Sequence, residues 1–221
     1  MIRGVFFDCD GVLIDSERVH QKYNALFVEE YHLGFDPMAF TEAVGISAPQ
    51  MEKEFWPKIY AQARTDWTYE EFRARFDTFK AERMGPMPFG EILFPDVVET
   101  LEGLRRRGLK IACASSSPGP YLHNMVEQCR LGEYFDRLVT GYDFQRSKPA
   151  PDIYLFCARA FGLKPEECLV VEDSPYGIAA GRGAGMEVLA RRDTFFGMDQ
   201  SAATKIIDDL REVWDYIDGR G

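Results

Sequence analysis

The chain is organised around ten residues near its N-terminus: Asp8-Cys9-Asp10-Gly11-Val12-Leu13-Ile14-Asp15-Ser16-Glu17. They follow the apolar run Ile2-Arg3-Gly4-Val5-Phe6-Phe7, which reads as a buried strand. The strand ends in two carboxylates spaced i, i+2, a spacing that starts both on one side of it. Gly11 follows at once and permits a sharp turn close to a ligand. Carboxylates at the tip of a buried strand are costly unless a cation, hydrogen bonds or solvent compensate them. Asp and Gly also end ordinary strands, so the meaning of this stretch depends on what the rest of the chain brings to it.

Composition sets the outer limits. At 221 residues the chain suits one large domain, or one domain plus a smaller insert. An apolar fraction of 46% is ample for a core. A formal net charge of −10 argues against a protein that coats DNA or RNA, but leaves room for a small phosphorylated substrate in a locally positive site. The one dense basic cluster, Arg105-Arg106-Arg107, falls where a helix C-terminus is expected and reads as structural. Cysteines occur at 9, 113, 129, 157 and 168, with no CxxC pair. An odd number of thiols in apolar runs implies buried cysteines in a reducing compartment, not a disulfide frame or zinc site. There is no signal-peptide pattern, and no apolar run approaches the roughly 20 residues of a membrane span. A soluble, cytoplasmic protein with no membrane or nucleic-acid partner is expected.

Asp15 and Ser16 offer an N-cap for a helix reaching about residue 32. Asp36-Pro37 starts a second, short one. Ser47 starts a third, disturbed at Pro57, and Thr68-Tyr69-Glu70-Glu71 is a capping box for a fourth that ends near Gly85. Residues 84–90, Met-Gly-Pro-Met-Pro-Phe-Gly, break the pattern like a hinge. Beyond them helices alternate with short apolar strands at about 109–114, 137–141, 168–171 and 187–189. That rhythm specifies an α/β fold: a Rossmann-like parallel sheet with helices on both faces. The expected domains are a core of residues 1–15 and 89–221 and an all-helical insert of residues 16–88. Ligand sites of open α/β sheets lie at the C-terminal strand ends. An insert leaving from such an end is placed to act as a lid.

Four polar features fall at that edge: Asp8 with Asp10, Ser115 after the second strand, Lys148 in a loop, and Glu172-Asp173 after a later strand. Each has an ordinary alternative. Ser115 suits a helix cap, Lys148 a solvated loop, and Glu172-Asp173-Ser174 an N-terminal cap. Their arrival at equivalent topological points is what discriminates. Clustered carboxylates need a cation, and oxygen ligands suit a hard ion such as Mg²⁺. A metal, a lysine and a hydroxyl around a carboxylate make a phosphoryl site. One carboxylate attacks phosphorus while the other moves protons.

Asp8-x-Asp10-Gly11-Val12, Ser115, Lys148-Pro149 and Glu172-Asp173 together resemble the four ordered motifs of the haloacid dehalogenase (HAD) superfamily. The helical insert is similar to the C1-type cap of the subgroup containing β-phosphoglucomutase and small sugar-phosphate phosphatases. The resemblance implies that Asp8 is the nucleophile and forms an aspartyl phosphate. It makes Asp10 the general acid/base and a backbone ligand of Mg²⁺. Ser115 and Lys148 would bind the phosphoryl group, and Asp173 would ligate Mg²⁺ with Glu172 helping to position it. Asp10 argues against dehalogenation. Lys53 and Lys58 read as surface charges rather than as a Schiff-base lysine. His20, Tyr23, Asn24, Trp56 and Tyr60 are cap candidates for substrate contact.

A Mg²⁺-dependent phosphomonoesterase acting as a monomer on a small phosphorylated metabolite is the leading reading. A β-phosphoglucomutase-like phosphomutase is the alternative. Ala48, in Val44-Gly45-Ile46-Ser47-Ala48, stands where that enzyme's arginine is expected, and without a guanidinium there is no natural clamp for a second phosphate. A non-catalytic phospho-acceptor module is the third reading. It would carry its acids on separate strands and have no helical lid. Arg146, two residues before Lys148, is either an aid to anion binding or a solvated loop residue.

Overall fold

A computed structural model describes residues 1–46 and 50–219 of the chain. Two compact units divide it: Met1–Asp15 with Phe89–Gly221, and Ser16–Pro88.

The first unit is built on a six-stranded, all-parallel sheet in the order β3-β2-β1-β4-β5-β6. The strands are β1 (Gly4–Phe7), β2 (Lys110–Ser115), β3 (Arg137–Thr140), β4 (Cys168–Glu172), β5 (Glu187–Arg191) and β6 (Lys205–Ile207). The first strand in sequence is thus a central strand, which explains its unbroken apolar run: both of its faces are covered. Register does the rest. Phe7 lies opposite Cys113 of β2 and Val171 of β4, so Asp8, Ser115 and Glu172 all leave the sheet at one edge. One core layer packs Phe6, Ala112, Ala114 and Val170 against Ile153, Tyr154 and Cys157 and against Ile178. The five cysteines are free and buried.

The second unit is helical. Helix α1 spans Ser16–Glu30, α2 Trp56–Gln62 and α3 Tyr69–Met84. A 3₁₀ segment at Pro37–Ala43 is capped by Asp36, whose carboxylate accepts from Met38 N at 2.9 Å. The capping box forms as the spacing predicts: Thr68 Oγ1 accepts from Glu71 N and Glu71 Oε2 from Thr68 N. Pro57 causes no break, because it sits in the first turn of α2, where a missing N–H costs nothing. The irregularity lies just before it, as a π-helical turn at Met51–Phe55. The expected start of this helix at Ser47 lies outside the described residues. Phe27 of α1 meets Tyr31, Phe72, Phe76 and Phe79 edge-on, at ring-centroid distances from 5.1 to 5.6 Å.

In the sheet unit the helices are α4 (Phe89–Ile92), α5 (Val97–Arg106), α6 (Gly119–Gln128), α7 (Asp152–Ala160), α8 (Pro175–Gly183) and α9 (Glu212–Asp218). Strand β6 and helix α9 have no counterpart in the periodicity. Three residues are too few to show alternation. Tertiary contacts hold α9: Trp214 Nε1 donates to Thr100 O at 3.0 Å, and Arg107 pairs with Asp218 at 2.6 Å. Arg105 pairs with Asp136 and Arg106 with Glu102, so the basic cluster is a set of structural ion pairs. No helix among the described residues is long and apolar enough to cross a membrane.

Phe27→Ala removes the ring on which four others converge. It is expected to destabilise the helical unit by about 3–5 kcal/mol, read by urea unfolding.

Candidate active site

Lys148 is the centre of the constellation. Its ammonium donates to Asp8 Oδ1 at 2.5 Å, to Glu172 Oε1 at 2.6 Å and to Ala114 O at 3.0 Å. Lys148 is 4% exposed, so the solvated-loop reading fails. A cis peptide joins Lys148 to Pro149. Arg146, two residues earlier, points its guanidinium to Asp152 on the surface, at 3.0 Å, and has no place at this edge.

Asp8 is fixed through its backbone, which donates to Val171 O at 2.9 Å. Glu172 is saturated. Its Oε1 also accepts from the buried Tyr154 hydroxyl at 2.6 Å. Its Oε2 accepts from the Asp173 and Ser174 backbone and from the Ser174 hydroxyl. Ser174 caps α8 by accepting from Gly177 N at 3.1 Å. A side chain at Gly177 would run into the Glu172 carboxylate, and one at Gly11, whose φ is +79°, into that of Asp173. Gly11 thus serves both the turn and the close approach. Gln200, from the segment after β5, donates to Asp173 O at 2.7 Å. Asp8, Glu172 and Asp173 each present an oxygen within 4.8 Å of the others, all three buried.

Asp10 lies in different company. Tyr121 donates to its Oδ1 at 2.9 Å, and Ser117 to its Oδ2 at 2.8 Å. The Ser115 hydroxyl is 3.5 Å from the same Oδ2 and accepts from Ser117 N at 3.0 Å. Ser115 therefore does both jobs its position allows: it closes a local turn and stands at the site.

The electrostatics follow from burial. Desolvation pushes the Asp8 carboxyl from its ordinary 3.8 up to about 8; Lys148 opposes the shift, while Glu172 and Asp10 add to it. Burial also disfavours the Lys148 ammonium, yet Asp8 and Glu172 outweigh it and hold its pKa well above the ordinary value. The group is short of positive charge, and its oxygen donors suit a hard divalent cation.

The helical unit has a polar group of its own. His20 Nδ1 lies 3.0 Å from Lys80 Nζ, which also donates to Asn24 Oδ1 at 3.5 Å. Burial lowers the Lys80 pKa to about 8, with Glu17 and Asp77 pulling it back up. Tyr23 lies beside Lys22. Trp56 is part of the aromatic core, and the Tyr60 hydroxyl donates to Trp67 O at 2.7 Å. Lys53 and Lys58 are exposed, and Ala48 lies outside the described residues.

Ser117, Tyr121, Tyr154, Gln200 and Lys80 were not singled out from the sequence. Ser117 and Tyr121 follow Ser115 by two and six residues, and Tyr154 follows Lys148 by six, so proximity to a motif was their only signal.

Residues 2–185 match the family model described as haloacid dehalogenase-like hydrolase. The chain belongs to this family. It is similar to the fructose-1-phosphate phosphatase YqaB of Escherichia coli (strain K12), with 27% identity over 84% of this chain and 94% of the relative. It is 31% identical to the phosphoglycolate phosphatase of the same strain, over 83% of this chain and 79% of the relative. The fold matches a β-phosphoglucomutase from Clostridium difficile at a TM-score of 0.76 and 18% identity, covering 100% and 97% of the two chains. The chain is an enzyme, a phosphatase-type hydrolase of the family.

Lys148→Met leaves two buried carboxylates without their cation. It is expected to cost about 3–5 kcal/mol in urea unfolding. A carboxyl that titrates near 8 when folded and 3.8 when unfolded holds its proton only in the native state between those values. Its contribution to stability therefore falls as pH rises through that window. Without divalent cations, the melting temperature is expected to drop more between about pH 5 and 8 for the wild type than for Asp8→Asn.

Proposed function

We propose that this enzyme is a Mg²⁺-dependent phosphomonoesterase that hydrolyses a small phosphorylated metabolite, a sugar phosphate foremost, through an aspartyl phosphate on Asp8. One observation carries the reading: a buried lysine shared by two carboxylates, beside a third and next to a second aspartate held by hydroxyls. Asp8 and Asp173 would hold the cation, with Glu172 helping to position it and Asp10 adding its backbone oxygen. When bound, the ion supplies positive charge to the phosphoryl oxygens and keeps Asp8 anionic.

The chain's own groups do the remaining work. Lys148 and the Ser115 hydroxyl bind phosphoryl oxygens. An Asp8 oxygen attacks phosphorus and the bond from phosphorus to the substrate oxygen breaks. Asp10 gives its proton to that leaving oxygen, so the product departs as an alcohol. Asp10, now a carboxylate, takes a proton from water as the water oxygen attacks the aspartyl phosphate. The bond between phosphorus and Asp8 breaks, releasing inorganic phosphate and restoring the Asp8 carboxylate.

Relatives named for fructose 1-phosphate and phosphoglycolate support a small anionic substrate. We assign choice of the leaving alcohol to the helical insert, acting as cap. His20, Tyr23 and Asn24 are its candidates, and Lys80 joins them through its contacts with His20 and Asn24. The enzyme is expected to act in the cytoplasm as a monomer. No observation favours the phosphomutase alternative.

Phosphate release from fructose 1-phosphate and phosphoglycolate tests the reading. Asp8→Asn is expected to abolish it, and Asp10→Ala to slow it on the order of 10²–10⁴-fold. Chelation should stop turnover and added Mg²⁺ restore it; activity indifferent to chelation would refute the metal requirement.

A further inference from the structure

The two acids of the opening motif differ in what holds them. Asp8 faces a lysine, whereas Asp10 is gripped through both oxygens by neutral hydroxyls, Tyr121 on Oδ1 and Ser117 on Oδ2. Both hydroxyls are themselves anchored. Ser117 is pinned at its two backbone ends: its N–H donates to Ser115 Oγ, and its carbonyl accepts from Thr140 Oγ1 at 2.6 Å. Tyr121 lies in the first turn of α6, and its ring packs edge-on against the buried Phe89 at 4.9 Å and 82°. Ring packing fixes where the phenol oxygen can sit, and the helix fixes the ring.

A free aspartate rotates about its terminal torsion and spreads its oxygens over many directions. An acid that must deliver a proton to one leaving oxygen loses rate when it is displaced by even about 1 Å. From this geometry we propose that Tyr121 is the positioning residue of Asp10, with Ser117 as its second support. Together they aim the carboxyl at the leaving oxygen beside Ser115. The proposal rests on the phosphatase reading above, because it needs Asp10 to move a proton. It adds a residue six positions after Ser115 that carries no charge and whose hydroxyl donates to Asp10. Tyr121 acts on the step in which the bond from phosphorus to the leaving oxygen breaks and the Asp10 proton passes to that oxygen.

The step has a signature that a structural role lacks. An alkyl leaving group needs the proton, whereas 4-nitrophenolate departs well without it. The value of kcat/KM covers only the steps through release of the alcohol, so it isolates this event from the later attack of water. Tyr121→Phe keeps the ring against Phe89 and removes only the hydroxyl. It is expected to lower kcat/KM for fructose 1-phosphate about tenfold or more. For 4-nitrophenyl phosphate the change should be less than about twofold, with the melting temperature kept. Ser117→Ala should show the same split in smaller measure. Asp10→Asn should show it in full and serves as the reference. If Asp10→Asn shows the split and neither Tyr121→Phe nor Ser117→Ala does, the positioning role is wrong and the phosphatase reading stands. Equal loss on both esters in Tyr121→Phe also overturns the role. If the wild type releases phosphate from neither ester with Mg²⁺ present, or Asp8→Asn retains full turnover, the underlying reading fails.

Discussion

A single buried ammonium governs this molecule. Lys148 is enclosed by the chain and shared between Asp8 and Glu172, with the Ala114 carbonyl taking a further bond. An ion taken from water must have its bonds replaced, and a half-satisfied network costs more than an apolar core. The surroundings follow from that demand. Glu172 has both oxygens occupied, one by Lys148 and Tyr154 and the other by the turn that opens α8. Gly177 has no side chain because the Glu172 carboxylate needs its space, and Gly11 yields in the same way to Asp173. The parallel register of β1 with its two neighbours is what brings the partners to one edge.

Within three residues the chain then makes two acids of different character. Asp8 sits among charges and is buried enough to resist ionising. Asp10 is held by the hydroxyls of Ser117 and Tyr121. Separate environments for neighbouring carboxylates are how one site obtains two chemical roles from one residue type. The sharp turn at Gly11 allows it, by letting the backbone change direction immediately after Asp10.

The helical unit is organised on another principle. Its stability rests on rings gathered around Phe27, and its 3₁₀ segment and α3 begin with well-formed caps at Asp36 and Thr68. Against that apolar interior the His20, Asn24 and Lys80 group stands out, because a half-buried lysine beside an imidazole and an amide loses part of its hydration and has these neutral groups in its place.

Local chemistry was open to reading wherever its cause lay within a few residues. The apolar run of β1, the Asp-x-Asp-Gly turn, the Thr68–Glu71 capping box and the alternation that makes a parallel sheet all act over short spans, and periodicity reports them. Lys148 was ambiguous for the opposite reason. It stands two residues from Arg146 in the same loop, yet one cation is enclosed and the other pairs with Asp152 at the surface. Apart from Pro149 after Lys148, nothing in the adjacent residues distinguishes them. What does is the position of Asp8, 140 residues away in sequence and adjacent in space. Tyr121 and Tyr154 were hidden in the same way, since a helical tyrosine ordinarily serves as core, and only the partner of its hydroxyl tells otherwise. The sequence by itself determined the strand, the turn and the kinds of chemical group that meet. The tertiary structure alone decided which of those groups share a proton or a charge, because such pairs are set by sheet register and burial across more than a hundred residues.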